Sequence, residues 1–321
     1  MPSNQIPSTS LYAARPGALP ARFRRPRVLI IGCGDVGLRV VQALPKRVRV
    51  LVLTSSPERV DALRLHGVTP LLGNLDTPHS LRRLAGLASR VLHLAPPPGE
   101  GWGDPRTQAF ARALHRRSAP LALVYGSTSG VYGDCAGELA TETRAAHAGT
   151  PRATRRIDAE NTIRFFGRSA QVRSSILRIP GIYAPDREGG TPHARLLKGT
   201  PVLIADDDVY TNHIHADDLA RACIAALWRG QPQRIYNVCD DTTLKMGDYF
   251  DLAADLYGLP RPPRVARSTA KEKLSLMLLS FMSESRRLDN SRLKQELRLR
   301  LHYPTVATGL ISPGKHHEPK R

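Results

Sequence analysis

Cysteine is scarce in this chain of 321 residues, and the four present, Cys33, Cys135, Cys223 and Cys239, stand far apart with no C-x-x-C pair among them. That spacing excludes zinc ribbons and dithiol exchange, and leaves the four as reduced core or loop residues. No apolar run approaches the roughly 20 residues needed to cross a bilayer. The first 25 residues also lack the apolar stretch of a secretory signal. A cytoplasmic location is expected, with no membrane partner. Lysine is short too: eight of the 47 basic residues are Lys, which leaves 47 − 8 = 39 Arg. Metal-ligand spacing is missing as well. His213 and His215 sit two apart and His316-His317 are adjacent, but apart from Asp217-Asp218 no further Cys, Asp or Glu stands near them at ligand spacing, so no metal is expected.

What the chain has in excess is positive charge, a formal +19. Clustered cations bind nucleic acid through counterion release, but here they are spread along the chain and no nucleic-acid motif accompanies them. A solvated basic surface that also attracts anionic cofactors and substrates is the expectation, rather than a nucleic-acid partner. Residues 1–26, with Arg22, Arg24 and Arg25 among them, and residues 312–321 have no apolar periodicity and read as flexible tails.

Between the tails, short Val-, Ile- and Leu-rich runs alternate with longer amphipathic stretches. The runs are Arg27–Ile31, Val48–Leu53, Val68–Leu72, Val91–Leu94, Leu121–Tyr125, Ser174–Ile179 and Ile235–Val238. Helical material lies between them, for example Gly37–Leu44 and Arg106–Arg117. This is the pattern of βαβ units around a mostly parallel, doubly wound sheet of about seven strands, a Rossmann-type α/β fold. After about residue 180 the alternation weakens into Pro- and Gly-containing loops. The expected division is therefore a Rossmann domain over 27–180 and a smaller substrate lobe over 181–311, with 213–240 returning to the sheet.

The strongest local signal is Gly32-Cys33-Gly34-Asp35-Val36-Gly37, which follows the buried-strand pattern Val28–Ile31 and precedes the apolar helix pattern Leu38–Leu44. A lone G-x-G-x-x-G is weak, but strand before and helix after supply its context. Gly32 allows a tight turn, Gly34 lets a pyrophosphate reach the backbone, and Gly37 lets helix and strand pack closely. Phosphates then rest on a helix N-terminus, beside Asp35 and Val36. NAD-specific sites place an acid about 20 residues beyond such a loop, at the end of the next strand. This chain has Thr54-Ser55-Ser56-Pro57-Glu58-Arg59 there. Hydroxyls such as Ser55 and the guanidinium of Arg59 suit a 2′-phosphate, which favours NADP(H), while Glu58 leaves NAD(H) open.

With this loop, further stretches resemble the extended, atypical branch of the short-chain dehydrogenase/reductase superfamily, the NAD-dependent epimerase/dehydratase-like proteins. They are Gly73-Asn74-Leu75-Asp76, Val91–Pro97, Ser127–Gly133, Leu177–Pro185, Asn212–Ala220 and Tyr236-Asn237-Val238, in the family's order across roughly residues 27–310. The resemblance implies that Asp76 approaches the adenine, that Ala95 and Pro96 run under the cofactor, and that Pro180 passes the nicotinamide. It implies substrate contacts at Ser129, Tyr183, Asn212 and His215, a small-molecule, sugar-nucleotide-like or carbonyl/alcohol substrate, and allows a homodimer paired through helices flanking the fifth strand.

The family's proton chemistry uses a Tyr and a Lys four residues apart on one helix face, where the ammonium lowers the phenol pKa. Aligned on Ala159-Glu160, that pair falls on Arg152 and Arg156, and between Gly133 and Ile182 there is no Tyr and no Lys at all. Arginine does not deprotonate in proteins, so it cannot stand in as the base. Arg156 can still donate to ribose or phosphate. The expected catalytic groups are then Thr128, orienting the substrate oxygen, and Tyr132, the remaining phenol. Two functions follow: an NAD(P)-dependent oxidoreductase or epimerase-like enzyme with a non-standard site, or a catalytically inactive NADP(H)-binding regulator or sensor.

Overall fold

Successive residues of the first strand are buried on opposite sides, and this alternation builds the molecule. The computed structural model describes residues 25–273, 279 and 282–311; the expected tails and the His316-His317 pair fall on residues outside these, apart from Arg25 and Pro26. On β1 (Arg27–Ile31), Val28 and Ile30 enter one core while Leu29 and Ile31 enter another. The same alternation holds on β2 (Arg49–Thr54), with Val50 and Val52 on one face and Leu51 and Leu53 on the other. Strands covered on both faces in this way read as continuous apolar runs and belong to parallel sheets.

Five more strands complete the sheet: β3 (Thr69–Leu72), β4 (Arg90–His93), β5 (Ala122–Thr128), β6 (Arg173–Ile179) and β7 (Arg234–Asn237). All seven are parallel, in the order β7-β6-β5-β4-β1-β2-β3. The seven expected runs are these seven strands, displaced by no more than a few residues at either end.

The first face is covered by α1 (Asp35–Ala43) through Val40, and by α5 (Ala216–Arg229) through Leu219, Cys223 and Leu227. The second is covered by Leu81 and Leu84, by α3 (Pro105–Leu114) through Phe110 and Leu114, and by α4 (Pro151–Ser169) through Ala159, Ile163 and Phe166. A shorter helix, α2 (Val60–Leu65), contributes Leu63 to the first core. Each fully buried aliphatic or Phe side chain contributes about 1.5–3 kcal/mol, so burial on both faces, more than any cap, holds these helices. Caps set where they begin. Asp104 accepts from Thr107 N at 3.1 Å and Thr107 Oγ1 at 2.6 Å, and Pro105 fills the first position, which starts α3 one residue before the expected Arg106.

Because β1 leads to β2 on one side while β4 lies on its other, the chain directions part at the C-terminal ends of β1 and β4. That is the topological switch point at which open α/β sheets form their ligand crevice. The β5–β6 pairing extends to Thr128 opposite Ile179, so the wall of this crevice continues along the same edge.

Beyond β6 the chain builds a second core of Tyr183, Leu196, Val202, Val209, Tyr249, Phe250, Val306 and Leu310, centred on α6 (Met246–Tyr257). Residues His213–His215 pair in parallel with Gly181–Tyr183, after which α5 and β7 rejoin the main sheet. Leu293 and Leu297 insert into the first sheet core, and Arg234 holds Glu296 with Nε at 3.0 Å from Oε2. Among the described residues no helix is long and apolar enough to cross a membrane, and no group of His, Cys, Asp and Glu could hold a metal ion.

Candidate cofactor crevice

The glycine turn is shaped by one close approach and one opening. Gly32 has φ +84°, and a Cβ there would lie 2.4 Å from Ala95 N, so the chain leaving β4 forbids any side chain. Gly34 is the opposite case: a Cβ would meet nothing within 4 Å. Gly37 faces Cys33 Sγ, which a Cβ would approach to 3.2 Å. Bare backbone at Gly34, open to the outside, stands where α1 begins, and no side chain caps that helix. The N–H groups and positive dipole end of α1 therefore face an open cradle, which fits a pyrophosphate. Burial pushes the Cys33 thiol up to about 11 despite the nearby Arg59, so it stays protonated.

Two sets of arginines frame this turn. Arg59 Nη2 donates to Cys33 O at 2.8 Å, which fixes its guanidinium beside the loop on the side of the exposed Ser55. Opposite, Asp35 accepts from Arg39 Nε at 3.1 Å and from Arg187 Nη1. Arg39 also binds Asp186 at 2.7 Å and Asp217 at 2.5 Å. Burial opposes charge on Arg39, but the hydrogen bonds to three carboxylates prevail and raise its pKa. The network ties α1, α5 and the loop after Tyr183 together at the crevice mouth.

The crevice itself has a volume of about 250 Å³, and runs from Gly32, Gly34, Asp35, Val36 and Gly37 past Leu94 to Gly126, Ser127, Thr128, Arg152, Arg156, Ile179 and Pro180, with Ile182, Arg187 and Leu219 at its sides. Its inner end is made of side chains. Arg156 Nη1 donates to Gly126 O at 2.7 Å and to the Tyr125 hydroxyl at 3.0 Å, whose pKa burial pushes up to about 12. Ser127 donates to Glu160 Oε1 at 2.6 Å, and Glu160 is paired with Arg178 at 2.8 Å, both ions being only 3% exposed. Thr128 Oγ1 accepts from Gly130 N at 3.2 Å, which leaves its proton to donate elsewhere.

A model of the NAD dependent epimerase/dehydratase family matches residues 28–239, which span the sheet and this crevice. The chain belongs to the NAD-dependent epimerase/dehydratase family. Among solved structures, a functionally unknown conserved protein from Silicibacter pomeroyi is 31% identical with a TM-score of 0.75, over 89% of this chain and 96% of that one. UDP-glucuronic acid 4-epimerase from Bacillus cereus, in complex with NAD, is 18% identical with a TM-score of 0.70, over 88% of this chain and 96% of that one. UDP-glucose 4-epimerase from Thermotoga maritima, with UDP-glucose, is 19% identical with a TM-score of 0.70, over the same shares. The likeness to the two epimerases is one of fold. No curated protein matches the chain.

In this epimerase/dehydratase-family protein, the residues singled out in the sequence fall into three groups. Gly32, Gly34, Asp35, Val36, Gly37, Thr128, Arg156 and Pro180 line the crevice together. Ser55, Arg59, Asp76, Ala95 and Pro96 are not among its lining residues. Ala95 backs the Gly32 turn, while the Asp76 carboxylate is held by Arg106 at 2.6 and 2.7 Å, which keeps it ionised. Arg106 also reaches Pro96 O at 3.4 Å.

The third group departs from expectation. Tyr132 is 1% exposed, its hydroxyl donates to Asn237 Oδ1 at 2.8 Å, and its ring lies under the Arg178 guanidinium at 4.5 Å. Buried and paired, this phenol does not reach the crevice as a proton carrier, and burial raises its pKa. Ser129 is buried beside it. Tyr183 donates to Thr305 O at 3.2 Å, and Asn212 bridges Arg286 O and Leu288 N at 2.9 Å each. His215 caps α5 by accepting from Asp217 N at 3.2 Å and stacks on Tyr303 at 3.7 Å. None of these five is among the residues that line the crevice: a motif gives a residue's place in the chain, and its partners decide its direction. Ser127 and Arg152, from stretches the resemblance drew on but not singled out as site residues, also line the crevice, and so does Arg187, which was not expected there. Arg187 meets Asp35 across 152 positions of sequence, which no local pattern signals.

Proposed function

We propose that the crevice binds a nicotinamide dinucleotide, NADP(H) in preference to NAD(H), and that the protein is an oxidoreductase or epimerase-like enzyme acting on a carbonyl or alcohol, in the chemical range of sugar nucleotides. The observation that carries this reading is the open cradle at Gly34, placed at the switch point of the sheet and continuous with the hydroxyl of Thr128. When bound, the dinucleotide supplies the hydride acceptor or donor. Gly34, Asp35, Val36 and Gly37 would seat the pyrophosphate, and Ser55 and Arg59 the ribose with its 2′-phosphate. Arg156, anchored on Gly126 O, would hold the nicotinamide ribose beside Pro180. Asp76, Ala95 and Pro96 border the adenine and the run of the cofactor. Thr128 donates a hydrogen bond to the substrate oxygen. Neither Arg152 nor Arg156 can carry the proton of that oxygen, so the proton passes by a hydroxyl or water. Ser127 and Thr128 are the hydroxyls on the crevice wall.

A second reading is favoured by the missing Tyr and Lys and by the burial of Tyr132: a non-catalytic protein in which cofactor occupancy sets the arrangement of the second lobe. Turnover assays separate the two: the enzyme reading requires net oxidation of NADPH by an aldehyde or ketone, net reduction of NADP by an alcohol, or redox-neutral epimerisation of a nucleotide sugar followed by NMR, and absence of all three leaves the binding reading. For both, NADPH fluorescence should report binding that Gly34→Asp abolishes, because a carboxylate then stands against the pyrophosphate. Unchanged binding in that variant removes the site assignment.

Two further proposals concern the protein's setting. A homodimer would pair through α3 and α4, where Phe165 is 67% exposed along a groove that includes Ala111, His115 and Phe166. A cytoplasmic location is supported by four buried thiols that form no disulfide.

A further inference from the structure

The first turns of α4 carry Arg152, Arg155 and Arg156, and no acid. Cations at a helix N-terminus oppose the helix dipole, so three of them there are unfavourable unless something negative joins them. Among the described residues no acid does. Among the described residues Arg152 has no hydrogen-bond or ion-pair partner, Arg155 donates to Gly101 O at 2.7 Å, and Arg156 bonds only the neutral Gly126 carbonyl and Tyr125 hydroxyl. The two acids further along α4 are engaged elsewhere. Asp158 accepts from Asp104 N at 2.6 Å and from Gln108 Nε2 at 3.1 Å, and Glu160 is closed within its pair with Arg178. Arg187, the other crevice guanidinium, is by contrast neutralised by Asp35. Arg152 is exposed toward the crevice, and partial desolvation with the neighbouring Arg156 and Arg155 lowers its pKa.

Arg152 and Arg156 both line the inner end of the crevice beside Thr128. A neutral sugar hydroxyl or ketone has no need of two uncompensated guanidiniums, whereas a carboxylate or phosphate matches their planar donor forks. We infer that the substrate carries an anionic group, a carboxylate or a phosphate, next to its reacting carbon, and that Arg152 binds it beside Thr128 while Arg156 serves the cofactor. The inference rests on the proposed cofactor reading for the identity of the reacting partner, but the anion seat itself does not.

The test begins with an NADPH titration followed by fluorescence. The NADPH complex is then titrated with 2-oxobutyrate, its neutral methyl ester and inorganic phosphate, with calorimetry on the free protein in parallel. At least one anion should bind the NADPH complex about tenfold or more tightly than the neutral ester, and Arg152→Gln should remove that advantage. Arg168→Gln, on an exposed turn of the same helix, should leave it intact. Arg152→Lys, which keeps charge but loses the fork, should fall between, and thermal melting confirms that each variant is folded. The two anions tell a carboxylate site from a phosphate site. Equal affinity for ester and anions, undiminished anion binding in folded Arg152→Gln, or anions that merely displace NADPH from the glycine turn would overturn the inference. If NADPH fails to bind while anions still bind the free protein through Arg152, the cofactor reading falls and the anion seat stands.

Discussion

The two ends of the crevice are built on different principles. At the glycine turn the shape is made by backbone: a left-handed Gly32 under Ala95, an open Gly34, and the start of α1. At the inner end it is made by side chains whose partners come from distant segments, Arg156 on Gly126, Ser127 on Glu160, Glu160 on Arg178. Backbone geometry tolerates change in surrounding side chains, so the first end keeps the form expected of a dinucleotide site. Chemistry depends on particular functional groups, and this end presents Arg152 and Arg156, with no Tyr or Lys between Gly133 and Ile182. The contrast teaches that the glycine turn keeps the form a dinucleotide site requires, while the inner end is particular to this chain's own side chains.

The contrast can be broken experimentally, and the largest effect should come from Gly32→Ala. A methyl 2.4 Å from Ala95 N, on a residue at φ +84°, should cost about 4 kcal/mol or more in urea unfolding and remove NADPH binding with it. Gly34→Asp is its counterpart and should lose binding with a near-normal melting temperature, since the position is open. If the two glycines respond alike, the backbone account of this end is wrong.

At the other end, Glu160→Gln leaves Arg178 charged and buried without its partner. A loss of about 3 kcal/mol by denaturant titration is expected, accompanied by weaker packing around Ser127 rather than a change at the glycine turn.

The second lobe brings pH into the comparison. Burial, with Asp241 nearby, pushes the Asp240 carboxyl up to about 7, although Thr242 N bonds it at 2.9 Å. A raised folded pKa means that the folded state holds a proton the unfolded chain has already released. The resulting stability is complete below about 3.9 and is lost as pH rises through about 7. Asp240→Asn should therefore gain about 3 kcal/mol on the parent between pH 5 and pH 8, read from urea midpoints at each pH. A gain of equal size at both pH values would contradict the assignment. The buried His213, held neutral with its pKa near 3, acts in the opposite sense and is common to both proteins.

Smaller effects sharpen the picture. Arg59→Ala should weaken NADPH by about tenfold while leaving NADH nearly unchanged, because a guanidinium beside the loop serves the 2′-phosphate. Tyr132→Phe should cost about 1 kcal/mol through the lost bond to Asn237, with NADPH affinity unaltered. Reduced turnover without that stability loss would restore Tyr132 to the chemistry.

These comparisons also explain what was legible in the sequence. The seven strands could be read because each buries both faces, and an unbroken run such as Val28–Ile31 has few other uses. The glycine turn could be read because only backbone was required of it. Helix starts were less legible: α1 begins at Asp35, two residues ahead of the expected start at Gly37, since its N-terminus faces the crevice instead of the core. The directions of Tyr132, Tyr183, Asn212 and His215 could not be read, because each is set by a partner such as Asn237, Thr305 or Tyr303 that is brought in from elsewhere. The same holds for Arg187 on Asp35.

A crystal structure of the protein grown with NADP tests the central claim most directly. The account predicts the pyrophosphate against the Gly34 backbone at the start of α1, the 2′-phosphate at Arg59, and the nicotinamide between Thr128, Arg156 and Pro180. A dinucleotide bound anywhere else, or a glycine turn left bare at saturating NADP and NAD, would contradict it.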